Sequence, residues 1–338
     1  MRKKVFLESS SLMCYNKCVP KKYTISKGGH FDMENRKIKT RLLATLAALG
    51  IAVACIPAVT AGADDIYAGS AEIRTAASAN TRATIPPGAY MLNLNINGRR
   101  VLGGRVFNYN GTTYVPMAAF ADWLGVFTHS FDKYSSSARL SGTNLSVSAR
   151  AGDGYITAND RYFYSENPVM LIGSEIYVPI LAITKALNSR WEWRPSESCF
   201  YIYSGDSRLL RSGAQVYNAD EVYWLARIIS AEAKGEPMKG KIAVGNVVLN
   251  RVRSAAYPNT IYGVIFDRKF GIQFAPVANG TIYQTPTVDS IIAAKICLEG
   301  YSLSDKILYF VNPVVAPGSW ISKNCPYAFT VGNHVFFE

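Results

Sequence analysis

The chain has 338 residues, of which 49% are hydrophobic and 18% charged, and its formal net charge is +12. This length exceeds what one typical hydrophobic core needs, so we expect two folded domains of ordinary globular composition. The basic excess lies mainly in residues 1–41, which hold 11 Lys and Arg against 3 Asp and Glu, and no basic motif with interleaved aromatic residues follows. The charge therefore argues for membrane targeting and against a nucleic acid partner.

Residues 1–63 are predicted to be a leader, with residues 33–63 as the signal proper. The 22 residues from Leu42 to Ala63 carry no charge, follow three closely spaced basic residues and end in small residues. These are the three parts of a secretory signal peptide. The same run is long enough to span a bilayer, so an N-terminal membrane anchor is the alternative. Either outcome predicts a protein that is secreted or held in the cell envelope.

Residues 64–89 are small and polar and are predicted to form a flexible linker. Residues 90–204 follow with short runs of alternating polar and apolar residues, which predict strands. Two Asn-Gly pairs, at 97–98 and 110–111, predict tight hairpin turns. This segment is therefore predicted to be rich in β-structure.

The β-rich segment contains an internal repeat. Tyr114-Val115-Pro116 and Tyr177-Val178-Pro179 each end a strand-like run and open a segment with helical spacing, where Pro suits the start of a helix. Over residues 90–204 this pattern resembles two repeats of the copper amine oxidase N-terminal-like domain. Copper prefers imidazole or thiolate ligands, and this segment offers only His129 and Cys199, so no metal is expected here. The domain is predicted to bind the cell wall or to act as a spacer.

Residues 205–217 are predicted to be a polar connector, and helical spacing begins after it. Asn218 can cap a first helix that runs to about Lys234, Pro237 starts a second, and Thr287 caps a third. The last segment is strand-like, with a hairpin turn at Gly332-Asn333. Residues 218–338 are thus predicted to form a mainly helical domain with a small β element, and the whole chain to be of the α+β class.

One carboxyl group stands out in the first of these helices. Leu225, Ile228, Ile229 and Glu232 fall on one helical face, so Glu232 ends an apolar stripe. Burial disfavours a charged carboxylate, so the pKa of Glu232 is expected to rise, and a protonated carboxyl group can donate to a glycosidic oxygen. The alternative is a Glu that bends out to solvent at the helix end.

The residues around Glu232 resemble a known family. The run 231–237 (AEAKGEP) and the helical segment 243–252 resemble the opening of the spore cortex-lytic (SleB-type) cell wall hydrolase domain. Later blocks match in order at 257–265, 273–280, 309–313 and 332–337. The resemblance therefore spans about residues 218–337.

This resemblance implies a lysozyme-like helical fold and an enzyme whose partner is the glycan strand of peptidoglycan, in the cell wall or the spore cortex. The implied reaction is that of a lytic transglycosylase acting between N-acetylmuramic acid and N-acetylglucosamine. Glu232 would protonate the leaving oxygen and then accept the proton of the muramic C6 hydroxyl as a 1,6-anhydro ring closes. No metal or other cofactor is implied.

Other residues in the matching blocks are candidates for substrate binding. They are polar or aromatic side chains in irregular or aromatic-rich stretches, where ligand-binding residues gather: Glu236, Gln273, Phe274, Tyr309, Asn312, Trp320 and His334. Ordinary glycosidases use two carboxylates. The candidates for a second one are Glu236, Asp267 and Asp220, and each has an ordinary structural or solvent-exposed role as its alternative.

Three other functions remain open from the sequence. An N-acetylmuramoyl-L-alanine amidase would need several zinc ligands, whereas this domain has one His. A Cys/His peptidase would need Cys297 or Cys325 beside His334. A non-catalytic wall-binding protein would need neither zinc ligands nor a Cys/His pair. The oligomeric state is left open.

Overall fold

A computed structural model of the protein describes residues 85–125, 128–205, 210–269 and 271–338. The predicted leader and all but the end of the predicted linker, 64–89, lie outside the described residues, and so does the candidate membrane anchor. Within the described ranges, no helix combines the length and the apolar character that crossing a bilayer requires.

Residues 90–204 form three sheets from fourteen strands. The strands are β1 (Tyr90–Met91), β2 (Asn93–Ile96), β3 (Arg99–Val101), β4 (Phe107–Tyr109), β5 (Thr112–Pro116), β6 (Thr128–Asp132), β7 (Ser137–Gly142), β8 (Leu145–Arg150), β9 (Tyr155–Ala158), β10 (Arg161–Tyr164), β11 (Met170–Ile172), β12 (Glu175–Pro179), β13 (Arg190–Arg194) and β14 (Cys199–Tyr203). Their orders are β1-β4-β5-β12-β11, β10-β9-β8-β7-β6 and β13-β14-β2-β3. All neighbours are antiparallel except β14 and β2.

The two repeats pair with each other through equivalent strands. Strand β5 lies antiparallel to β12, with Val115 opposite Val178, and each strand ends in the Pro of its Tyr-Val-Pro triplet. A short helix follows each Pro, namely α1 (Met117–Leu124) and α2 (Ile180–Ala186). The predicted helix starts are confirmed, with each Pro at the extended cap position rather than in the first turn.

Both predicted hairpin turns are present. Asn97 and Gly98 join β2 to β3, and Asn110 and Gly111 join β4 to β5. All four residues have positive φ, from 49° to 84°. Gly and Asn adopt such angles more readily than most residues, which is why the Asn-Gly pair predicts this type of turn.

The C-terminal part is mainly helical. Its helices are α3 (Gly213–Val216), α4 (Ala219–Ala233), α5 (Met238–Arg253), α6 (Ile261–Ile265), α7 (Ala275–Asn279), α8 (Val288–Leu298) and α9 (Trp320–Asn324), and a small sheet has the order β15 (Tyr309–Val311), β17 (His334–Phe337), β16 (Tyr327–Val331). Asn218 and Thr287 cap α4 and α8 through side-chain oxygens, as predicted. The α+β class is confirmed, and helix α3 lies in the predicted connector.

Helix α5 forms the centre of this domain and packs closely against α4 and α8. A Cβ atom added to Gly245 would lie 2.6 Å from the Sγ of Cys297 and 3.0 Å from the Cδ1 of Ile229. Three helices therefore approach one another at a position where only Gly fits without rearrangement. This packing fixes the relative positions of α4, which carries Glu232, and α5.

The β-rich part and the helical part contact each other directly. The carboxylate of Glu299 accepts two hydrogen bonds from Arg161, both 2.7 Å, and one from the hydroxyl of Tyr217, also 2.7 Å. The ring of Tyr164 packs edge-on against Tyr301, with centroids 4.6 Å apart. Because the Arg161–Glu299 pair is mostly buried, breaking it would leave an uncompensated charge.

Candidate active site

Glu232 lies in the last turn of α4, at the end of the predicted apolar stripe. Leu225, Ile228 and Ile229 are fully buried, and the side chain of Glu232 is half-buried. Burial raises the pKa of Glu232 to about 7, and the charge of Arg251 partly opposes this rise. The expected rise in pKa is confirmed. A substantial fraction of Glu232 is therefore protonated at neutral pH, which is the state that a general acid needs.

Arg251 is the charged partner that acts on Glu232. It extends from α5 and is 1% exposed. Its Nε donates a hydrogen bond to the carbonyl of Leu308 at 2.8 Å. The rings of Tyr257, Phe274 and Tyr309 surround the guanidinium, with centroids 5.1, 5.2 and 5.6 Å from its central carbon. Aromatic faces stabilise a cation in this arrangement.

Arg251 lies within the matching segment 243–252 but was not among the predicted site residues. One signal was available. In the sequence Arg251 comes just after the mostly apolar helical run 242–249, and a charged residue that packs beside such a run requires a specific partner. The identity of the three rings could not be predicted, because they come from three different segments.

Two Asn side chains of α5 position the segment that leads to β15. Asn246 Nδ2 donates to the carbonyl of Tyr301 at 2.9 Å, and its Oδ1 accepts from the Leu303 amide at 2.9 Å. Asn250 Nδ2 donates to the carbonyls of Ser304 and Ile307, both at 2.9 Å. Because buried backbone groups require partners, these bonds fix the segment and hence the place of Tyr309.

Two of the predicted substrate-binding residues, Phe274 and Tyr309, lie against Arg251, and a third, Gln273, precedes Phe274 in the chain. Tyr257 donates a hydrogen bond to the hydroxyl of Tyr309, with the oxygens 3.2 Å apart. Phe274 is buried, so its ring contacts Arg251 and does not offer an open face to a sugar. Gln273 is buried too, and its Nε2 donates to the carbonyl of Gly271 at 3.0 Å. Gln273 thus holds the loop before α7.

Glu236 holds the C-terminal hairpin. It is 8% exposed, and its two carboxylate oxygens accept from the backbone amide and the side-chain amide of Asn333, at 2.9 and 3.0 Å. Burial alone would raise the pKa of Glu236, but these hydrogen bonds outweigh it and hold the pKa below its usual value. The geometry favours a positioning role for Glu236 over the predicted contact with substrate.

The remaining predicted residues lie at the hairpin and the turn after β15. His334 is buried between Phe310 and Phe336, and burial lowers its pKa, so it is neutral near pH 7. Trp320 packs in the small apolar cluster of the hairpin. Asn312 Oδ1 accepts from the amides of the two Val residues that follow, at 3.0 and 3.4 Å. These contacts are structural, and the predicted binding roles remain predictions.

The rival chemistries find little support in the geometry. In the described part of the chain, no group of three or more His, Cys, Asp or Glu side chains is placed to hold a metal ion. Cys297 is fully buried, and burial raises the pKa of its thiol, which disfavours the nucleophilic thiolate. Asp267 accepts from the amide of Lys269 in a local turn, and Asp220 is exposed in the first turn of α4.

Comparison with known families confirms both resemblances. The cell wall hydrolase family model matches residues 235–337, and the copper amine oxidase N-terminal domain model matches residues 95–202. The first match begins three residues after Glu232, so this match does not include the candidate catalytic residue.

Individual relatives match the C-terminal part. The chain is 37% identical over 120 residues to the spore cortex-lytic enzyme of Bacillus cereus, covering 36% of this chain and 45% of that enzyme. It is 30% identical over 114 residues to the cell wall hydrolase CwlJ of Oceanobacillus iheyensis, covering 32% of this chain and 79% of that protein. The chain thus spans less than half of the length of the spore cortex-lytic enzyme.

A solved structure matches as well. The catalytic domain of the germination-specific lytic transglycosylase SleB from Bacillus anthracis is 36% identical to this chain, with a TM-score of 0.33. The match covers 97% of that domain and 36% of this chain.

Proposed function

The chain belongs to the cell wall hydrolase family through its C-terminal domain, and on this basis we propose that it cleaves peptidoglycan glycan strands as a lytic transglycosylase, with Glu232 as its catalytic carboxyl group. The observation that carries this proposal is the environment of Glu232. An apolar face brings the carboxyl group into the domain, and its pKa of about 7 keeps a protonated fraction available at neutral pH.

The proposed reaction uses one carboxyl group twice. Glu232 donates its proton to the glycosidic oxygen between N-acetylmuramic acid and N-acetylglucosamine while the bond from that oxygen to the muramic C1 breaks. The resulting carboxylate then accepts the proton of the muramic C6 hydroxyl, and O6 forms a bond to C1. The 1,6-anhydro ring closes without water, and Glu232 is again protonated.

The charge of Arg251 suits this double role. It stabilises the carboxylate that exists between the two proton transfers, while burial stabilises the protonated form before and after them. The two opposing effects leave the pKa near neutrality, where one group can both donate and accept a proton. The proposed site of action is the cell envelope, in the vegetative wall or the spore cortex, with membrane anchoring through residues 42–63 as a further proposal.

Product analysis tests this reaction directly. Mass spectrometry of digested peptidoglycan should show muropeptides that end in 1,6-anhydro-N-acetylmuramic acid, lighter by one water than the reducing-end products of hydrolysis. Reducing-end sugars would instead indicate a hydrolytic muramidase, and free stem peptides an amidase. Binding without any product would indicate a wall-binding protein.

The pKa of Glu232 predicts how activity depends on pH. Because the protonated form is required first, kcat/KM should fall as pH rises through the pKa of about 7. Turbidity loss of a cell wall suspension, measured from pH 5 to 9 at constant ionic strength, checks this. Activity that instead rises through this range would contradict the role of Glu232 as a general acid.

A further inference from the structure

Five aromatic side chains gather on the surface of the helical domain, and none of them is among the predicted site residues. Tyr223 and Trp224 lie on α4, Tyr262 on α6, Phe266 just after α6, and Tyr283 in the short 3-10 helix Thr281–Tyr283. We call them the aromatic cluster. Trp224 is its centre, with ring centroids of the other four between 4.9 and 6.4 Å away.

The cluster is ordered by packing yet remains open to solvent. Tyr223, Tyr262 and Tyr283 are 47%, 53% and 62% exposed. Arg227 fixes its edge, because the guanidinium lies 4.2 Å from the Tyr223 ring centre and donates to the carbonyl of Gln284 at 2.6 Å. Exposed contiguous apolar surface of this kind is uncommon unless a partner covers it.

The cluster and the candidate catalytic group lie on the same helix, since Trp224 and Glu232 both belong to α4. Eight residues separate them, which corresponds to about 12 Å along the helix axis. Ile228, which lies between them, is buried, so no exposed ridge of α4 joins them. The link between the two sites is therefore their short separation, which a glycan strand of several sugars can span.

We propose that the aromatic cluster is a secondary binding surface for sugar rings of the glycan strand, distant from the bond that is cleaved. This inference rests on the proposed function. The faces of aromatic rings pack against the C–H faces of sugars, and the hydroxyl groups of the three Tyr can meet sugar hydroxyls. The surface favours long strands over short ones by binding sugars that take no part in the reaction.

The chemistry of the exposed rings suits a sugar polymer. The three exposed rings of the cluster are all Tyr, so each offers both an apolar face and a hydroxyl group. A sugar ring presents the matching combination of a C–H face and hydroxyl groups at its edge. The position of the cluster on the helix that carries Glu232 favours the strand that is being cleaved as its occupant.

The test separates binding at the cluster from chemistry at Glu232. The double variant Tyr262→Ala/Tyr283→Ala should raise KM for long, peptide-free glycan strands roughly tenfold, since each stacked ring contributes a modest share. Its kcat, and its kcat/KM on a tetrasaccharide of the same repeat, should stay at the parent values. Tyr262→Phe/Tyr283→Phe retains the rings and should keep KM within about threefold of the parent. Tyr134→Ala, which removes an 89% exposed ring of the β-rich part, is the control.

A binding measurement distinguishes failure of this inference from failure of the proposed function. Cosedimentation with insoluble peptidoglycan, performed in a Glu232→Gln background, should show weaker binding when Tyr262 and Tyr283 are also replaced by Ala. Equal binding and an unchanged KM would overturn the inference. If the parent were a dimer and the double variant a monomer, the surface would be an interface between two copies of the chain. That result would also overturn the inference. If the parent bound peptidoglycan through the cluster but released no glycan product, the binding surface would be supported and the proposed reaction would be contradicted.

Discussion

Replacement of Glu232 by Gln is expected to lower kcat on peptidoglycan by about 100-fold or more, because a positioned general acid contributes roughly 10²- to 10⁴-fold. The amide has the shape of the acid but cannot donate the proton or accept it back. The measurement is turnover of purified peptidoglycan at pH 6, combined with circular dichroism to show that the fold is retained.

The matched control is Glu221→Gln, which makes the same chemical change at an exposed position in the first turn of α4. If Glu232→Gln and the control both kept the activity of the parent, Glu232 would have no part in the mechanism. A comparable loss in folded Glu236→Gln would point to a mechanism with two carboxylates.

The Glu232→Gln variant should be more stable than the parent above pH 7. The pKa of Glu232 rises from its usual 4.5 to about 7 in the folded protein. Between these values the folded state binds more protons than the unfolded state, so the free energy of unfolding falls as pH rises from 4.5 to 7. This pKa shift corresponds to a loss of roughly 3 kcal/mol in the parent's free energy of unfolding. The Glu232→Gln variant has no carboxyl group at this position and should not show this loss. Denaturant unfolding at pH 5 and pH 8 measures the difference.

Replacement of Arg251 by Met should destabilise the protein by about 2 to 4 kcal/mol. The change leaves the carbonyl of Leu308 without its donor at a buried position and removes the cation from three aromatic rings. Urea unfolding measures the loss. Arg253→Met, in the same helix but exposed, is the control and should stay within about 0.5 kcal/mol of the parent.

The Arg251→Met variant also tests the electrostatics of the site. The charge of Arg251 lowers the pKa of Glu232, so its removal should raise that pKa further and move the alkaline limb of the pH profile to higher pH. The measurement is the pH on the alkaline side at which the residual activity of the variant falls to half its maximum. A limb that stayed in place or moved to lower pH would show that Arg251 does not act on the catalytic carboxyl group.

The sequence patterns predicted the three long helices of the helical domain, whereas the four short ones, α3, α6, α7 and α9, were not predicted. Asn218, Pro237 and Thr287 mark helix starts that the structure confirms, because a cap depends on the residue itself and its immediate neighbours. The Asn-Gly turns were predictable for the same reason. The pairing of β5 with β12 was not, because it joins residues far apart in the chain.

Glu236 shows where sequence reasoning about the site reached its limit. Its place in the family motif suggested a contact with substrate. In the fold its carboxylate binds Asn333, which is 97 residues later in the chain. A motif identifies residues that matter to a family, but it does not separate residues that could touch a ligand from those that hold the scaffold.

The starts of the main helices and the place of Glu232 at the end of an apolar stripe could be predicted from the sequence, since each depends on neighbours within a few turns of helix. The surroundings of Glu232 could not be predicted in this way, because they form only when the domain packs. Phe274 and Tyr309 reach Arg251 from segments 23 and 58 residues later in the chain, and packing likewise assembles the aromatic cluster around Trp224. The pKa of a carboxyl group depends on burial and on charges through space, and both are properties of the packed domain.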